Sequence, residues 1–246
     1  MAVACMRASD EKVSGIMPIS LDDESTWPPA VLKHLEANVG ELAVAQVEFV
    51  SAIDELIGDQ EIIGYHCTRL TQDEVARVKA QGLCPLTEEM RQSRVQRRVE
   101  AGNISPEMGA RLLQLGLGGN GRHRLGYSCF FFTKEIGEWC WKFFRYWGGE
   151  SIYVPHMSTD SEERNTLRAI GAPCIIEIAV PVSAIPHKSV AQGFLYEYGR
   201  RRDIQIREAS HDVARVPMRV LRVIEYGSSD FTRRTKDIPW PNTIHP

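Results

Sequence analysis

A histidine, a late glutamate and a run of aromatic rings are the side chains of this 246-residue chain best suited to act on a bound small molecule. His66 stands in Tyr65-His66-Cys67-Thr68, at the end of the apolar run Glu61–Cys67 that reads as a buried strand. An imidazole there either serves a ligand as hydrogen-bond donor or acceptor, or is a satisfied core residue. Glu208 opens Glu208-Ala209-Ser210-His211, in the last third of the chain. A carboxylate can favour a developing positive charge or take up a proton. Glu197 and Glu225 are rivals for that role. Between His66 and Glu208, Cys129-Phe130-Phe131-Phe132-Thr133 offers rings able to stack on a flat heterocycle, with Tyr127 close by.

A second group is basic. Arg91, Arg94, Arg97 and Arg98 share one side of a helix, and with Arg111, Arg122 and Arg124 they have the spacing to follow a phosphate backbone. The alternative is a solvated helix face. Arg200-Arg201-Arg202 forms a further cluster. Gly116, Gly118 and Gly121 match the dinucleotide-binding glycine pattern, but a helix precedes them and a strand follows, the reverse of what that fingerprint requires. They read as a loop. The six cysteines lack paired spacing, which argues against a zinc ribbon or a disulfide scaffold.

The elements that must hold these residues follow from periodicity. Asn38 and Glu41 open a helix whose apolar residues repeat to Ile57, with Gly58 as its end. Thr71 and Glu74 form a capping box for a helix ending at Gly82. Further helices run from about Glu88 to Ala101 and from Ser105-Pro106-Glu107. An aromatic helix, Glu135–Trp147, carries Trp139 and Trp141. Strand character marks Tyr127–Thr133, Ser151–Val154, Cys174–Val182, Phe194–Tyr198, Asp203–Ala209 and Met218–Tyr226. Helices dominate the first 150 residues and strands the remainder, which predicts an α+β fold.

The order of a His66-Cys67-Thr68 strand, the Phe130-Phe131-Phe132-Thr133 strand and a late Glu208 followed by Val216-Pro217 resembles the ADP-ribosyltransferase superfamily. The similarity is to the branch of poly(ADP-ribose) polymerases and bacterial nucleic-acid-modifying toxins. It covers residues 61–226 as short motifs. Cys67 stands where the family has glycine, and Phe131 where it has tyrosine. The resemblance implies a split β-sheet core and NAD as co-substrate, with no metal. It makes Glu208 catalytic and puts His66, Cys67, Thr68 and Phe131 at the NAD site, with Trp141 as a wall beside the nicotinamide. It further implies a toxin or phage-defence effector with an antitoxin partner. The acceptor would be nucleic acid, RNA included, or protein. Arg94, Arg97, Arg98, Arg122 and Arg124 are the acceptor-binding candidates. An RNA 2′-phosphotransferase on the same fold and a catalytically inactive nucleic-acid-binding or adaptor protein are the rival readings.

The net charge of −3 divides unevenly. Residues 1–60 hold 3 basic and 11 acidic side chains, whereas 91–146 hold ten basic and four acidic ones. The layout expected is therefore an acidic extension with helices over 1–60, a domain over 61–226 with a helical insert at 84–124, and a polar surface tail at 227–246. The first 26 residues lack periodicity and are expected to be mobile. No apolar run is long enough to span a membrane, and no signal-peptide pattern opens the chain, so a cytoplasmic protein is expected.

Overall fold

A computed structural model describes residues 17–38, 47–114, 125–133, 141–152, 161–185, 189–204 and 211–236. Its element order is α1 (Pro29–Ala37), α2 (Val47–Ile57), β1 (Glu61–Leu70), α3 (Gln72–Gln81), α4 (Glu88–Glu100), α5 (Pro106–Gln114), β2 (Ser128–Phe131), α6 (Trp141–Arg145), α7 (Gly149–Ile152), α8 (Ser161–Ala169), β3 (Ala172–Pro181), α9 (Ser189–Arg200), β4 (His211–Ala214), β5 (Arg219–Glu225) and α10 (Ser229–Arg234). The fold is α+β.

The described strands form one antiparallel sheet in the order β4-β2-β1-β3-β5. β1 and β3 are its spine, paired from Glu61↔Pro181 to Leu70↔Ala172 without a break. Their apolar and β-branched composition suits strands covered on both sides. The division into two half-sheets that the resemblance implied is not seen among the described residues, because this long ladder ties both flanks together. What differs is the other edge of β1, which pairs with β2 at Tyr65↔Phe131.

Strand alternation sends the two faces of β1 to different cores. Ile62 and Leu70 join Phe130, Phe132, Ile176 and Ile178 under α1, α2 and α9. Tyr65 and Cys67 join Phe131, Ile175, Phe144 and Phe231 on the side of α6 and α10. Gly64 lets the first core close up, since a Cβ there would stand 2.6 Å from the Phe130 ring. A third cluster lies beyond the sheet, where Val95 of α4 and Met108 and Leu112 of α5 pack with Trp147, Ile152 and Leu167. The helices α4 and α5 thus share a core with side chains from residues 146–170. Each of these fully buried large side chains contributes about 1.5–3 kcal/mol relative to exposure.

Several expectations change. Phe194–Tyr198 is helical, within α9, because Val190, Phe194 and Tyr198 recur every fourth residue and all are buried. Ser151 and Ile152 close α7 and form no strand. In the aromatic segment, helix is described over Trp141–Arg145, and Trp147 lies past its end. Within residues 17–26, the stretch Ile19 to Leu21 is built into the core: Ile19 bridges Ile62, and Leu21 is fully buried. One bridge and one anchoring ring, Trp27 against Phe194 at 4.9 Å, need no periodicity to form. The predicted surface tail includes α10, whose Phe231 and Arg234 are buried beneath the sheet. Cys67, Cys129 and Cys174 form no disulfide, while Cys84 is disulfide-bonded. No helix among the described residues is long and apolar enough to cross a membrane.

Candidate functional site

β1 and β2 diverge beyond Tyr65↔Phe131, and α3 and α4 cover the opening. The result is a cavity of about 430 Å³, a size usual for small-molecule sites. β1 supplies His66, Cys67, Thr68 and Leu70 to its wall, and the β2 region supplies Tyr127 to Phe131. Glu74 and Arg77 of α3 and Met90 and Arg94 of α4 close it, with Phe143 and the Gly148-Gly149 turn at one side.

His66 occupies the point where the ladder is interrupted. Continued in register, Cys67 would stand opposite Cys129. Instead the His66 ring meets the Cys129 carbonyl at 2.7 Å through Nδ1. A carbonyl only accepts, so Nδ1 carries the proton and Nε2 keeps a lone pair. Burial drives the imidazole pKa below its usual value; the Cys129 bond opposes that shift and the nearby Arg94 charge adds to it. At neutral pH His66 is an uncharged acceptor, suited to a ligand hydroxyl. In a pH titration followed by NMR, its ring carbons should hold the neutral-imidazole shifts at pH 6.5 and below. The unfolded chain takes up this proton first, so the contribution to stability is whole above about pH 6.5 and is lost as pH falls through the lowered folded value. A ring that titrates at or above 6.5 would remove the lone pair from the site.

Beside it stands a buried polar cluster. Glu74 begins as a local device: its carboxylate accepts from the Thr71 backbone N–H at 3.0 Å, completing the capping box that starts α3. The fold then brings it two further donors, Arg94 Nε at 2.7 Å and Trp147 Nε1 at 2.9 Å. Burial works to raise the Glu74 pKa, but the Arg94 charge and the bonds from Thr71, Arg94 and Trp147 outweigh it. The carboxyl lies below the ordinary carboxylate range. The Arg94 guanidinium also sits 5.2 Å from the Trp147 ring centre, in cation–π range.

The other sequence candidates distribute as follows. Cys67, Thr68 and Phe131 line the same cavity as His66, and so does Tyr127, whose hydroxyl meets Arg215. Trp141 lies on α6 with its side chain outside the described residues. Glu208, Arg122 and Arg124 also fall outside them. Arg98 is only 7% exposed, since both Asp73 oxygens accept from its Nη2 and it turns away from any outer face. Arg91 is buried on Glu88 and on the ends of α5. Arg97 donates to Ser93. The continuous basic face read from helical spacing is therefore divided, because two of its four arginines are spent inside the protein. Arg201 and Arg202 pair with Glu24 and hold the N-terminal segment to α9. The rival Glu197 is 1% exposed on α9 and accepts from Arg200, and Glu225 pairs at the surface with Lys79.

Sequence reasoning missed Glu74 as a site residue. Its capping box was visible, but its partners Arg94 and Trp147 are 20 and 73 residues away. Among the described residues no group of three His, Cys, Asp or Glu side chains is arranged to hold a metal ion. Compared with known proteins, the chain matches no family model, no curated protein and no solved structure.

Proposed function

We propose that this protein is an NAD-dependent ADP-ribosyltransferase with an ADP-ribosyltransferase-like fold, acting from the cavity between β1 and β2. The observation that carries the proposal is strand order. The His66 strand, the Phe131 strand and the strand that follows Glu208 are far apart in sequence, yet they are neighbours as β1, β2 and β4. His211 pairs with Phe131, and Phe131 with Tyr65. Glu208, three residues before His211 in the sequence, lies outside the described residues.

In this reading the lone pair of His66 Nε2 accepts from a ribose hydroxyl, and Phe131 packs against the nicotinamide. The bond between nicotinamide and ribose C1′ breaks with oxocarbenium character, and nicotinamide leaves with the bonding pair. The acceptor nucleophile then bonds to C1′ and its proton passes to the Glu208 carboxylate, whose charge favours the transition state. The acceptor is a macromolecule, either nucleic acid such as RNA, or protein. A toxin or phage-defence role in the cytoplasm, opposed by an antitoxin, belongs to the same proposal.

The test is nicotinamide release from NAD by the full chain, alone and with RNA, DNA or cell lysate. Release coupled to labelling of one acceptor class is the expected result. If no mixture consumes NAD, the enzyme reading falls, and nucleic-acid binding with a steep salt dependence would favour the binding-protein alternative.

A further inference from the structure

Arg94 differs from the other arginines of its helix in how its donors are spent. Nε is bonded to Glu74 at 2.7 Å, while Nη2 is buried with no hydrogen-bond partner among the described residues. The side chain is 16% exposed and lines the cavity with His66. A desolvated guanidinium donor without a partner costs free energy and calls for an acceptor that the described residues do not supply. The rest of the group is held in place, by Glu74 at one nitrogen and by Trp147 at 5.2 Å against its face. That leaves the two terminal nitrogens as the donors not already used, the end of a guanidinium that binds phosphate oxygens. Arg77 lines the same wall and adds a second positive charge, itself 3.2 Å from Asp73. The neutral His66 puts no charge against an anion there.

We propose that Arg94 forms a phosphate subsite inside the cavity and holds the diphosphate of the dinucleotide, not the acceptor. The inference rests on the NAD reading for the name of the ligand, and on the buried Nη2 donor for its chemistry. It moves one arginine of the helical insert from acceptor recognition to co-substrate binding. It also gives the Glu74–Trp147 cluster a purpose, which is to aim the guanidinium.

The test is calorimetric titration of the full chain with NAD, ADP, inorganic diphosphate and a short single-stranded RNA. Quenching of tryptophan emission is a second readout, because Trp147 stacks on the group in question. Arg94→Gln should weaken ADP and diphosphate binding by about 10- to 100-fold, as expected for charge-assisted hydrogen bonds. Arg94→Lys, which keeps the charge and loses the guanidinium, should fall between. If Arg94→Gln fails to fold with Glu74 left buried and unpaired, the pair Arg94→Gln/Glu74→Gln removes both charges together and is compared with Glu74→Gln alone. Equal affinity of ADP for wild type and Arg94→Gln overturns the proposal. Absence of anion binding by the wild type does so too, as does an Arg94 dependence confined to RNA. Arg94-dependent binding of ADP and diphosphate without NAD binding upholds the phosphate subsite while overturning the NAD reading.

Discussion

Glu208→Gln is expected to lower ADP-ribosyl transfer by about 10²- to 10⁴-fold, the range for loss of a positioned acid–base group. NAD affinity should stay within a few-fold of wild type. Glutamine keeps the size of the side chain and can still bond a ribose hydroxyl. It carries no charge to favour an oxocarbenium-like centre, and it cannot take the proton of the incoming nucleophile. The effect should therefore fall on turnover, with little change in KM. Glu208 precedes β4 by three residues, and β4 pairs with β2 from Phe131↔His211 to Ser128↔Ala214. Initial rates of nicotinamide release, measured beside NAD binding by calorimetry, check the prediction. Wild-type turnover in Glu208→Gln would remove this residue from the chemistry.

The largest stability effect is expected at Glu74, which is 4% exposed and accepts from Thr71, Arg94 and Trp147. Glu74→Ala leaves the Arg94 cation and the Trp147 N–H without their acceptor and removes the Glu74 half of the capping box of α3. Breaking a buried ion pair from one side costs about 3–5 kcal/mol. For a chain of this size that is a fall in Tm of about 6–20 °C. Glu74→Gln, able to keep the neutral hydrogen bonds, should lose less. The folded-state pKa of Glu74 is depressed. Its contribution is therefore whole above the ordinary carboxylate value and is lost as pH falls through the lower folded one, below about pH 4. Thermal melts across that range should show wild type losing stability more steeply than Glu74→Gln. A melting point for Glu74→Ala within 2 °C of wild type, on the order of a surface substitution, would mean that this cluster does not fasten α4 to α3.

Local signals were accurate where a segment answers to its own residues. The capping box at Thr71 and the hydroxyl cap at Ser105 start α3 and α5, because a cap is satisfied within one turn of its helix, whereas Asn38, read as the start of a helix, ends α1. Glu61–Cys67 is strand and extends to Leu70, since its apolar residues have cores on both sides. Errors arose where spacing was ambiguous. Phe194–Tyr198 carries enough aromatic and apolar residues to pass for a strand, and only the docking of Val190, Phe194 and Tyr198 on one core makes it helix. The arginines of α4 share a face by periodicity. Periodicity is blind to the carboxylates of α3, which draw Arg94 and Arg98 inward.

By itself the sequence determined the α+β class, the starts of α3, α4 and α5 and the strands that carry His66 and Phe131. These depend on hydrogen bonds and side-chain alternation within a few residues. Only the tertiary structure decided that those strands lie side by side and that an interrupted ladder is bridged by His66 onto Cys129. It alone decided that Arg94 looks into the cavity while Arg98 is buried on Asp73. Strand order and the partners of a buried charge are long-range choices, settled by which surfaces exclude water together. No local pattern encodes them.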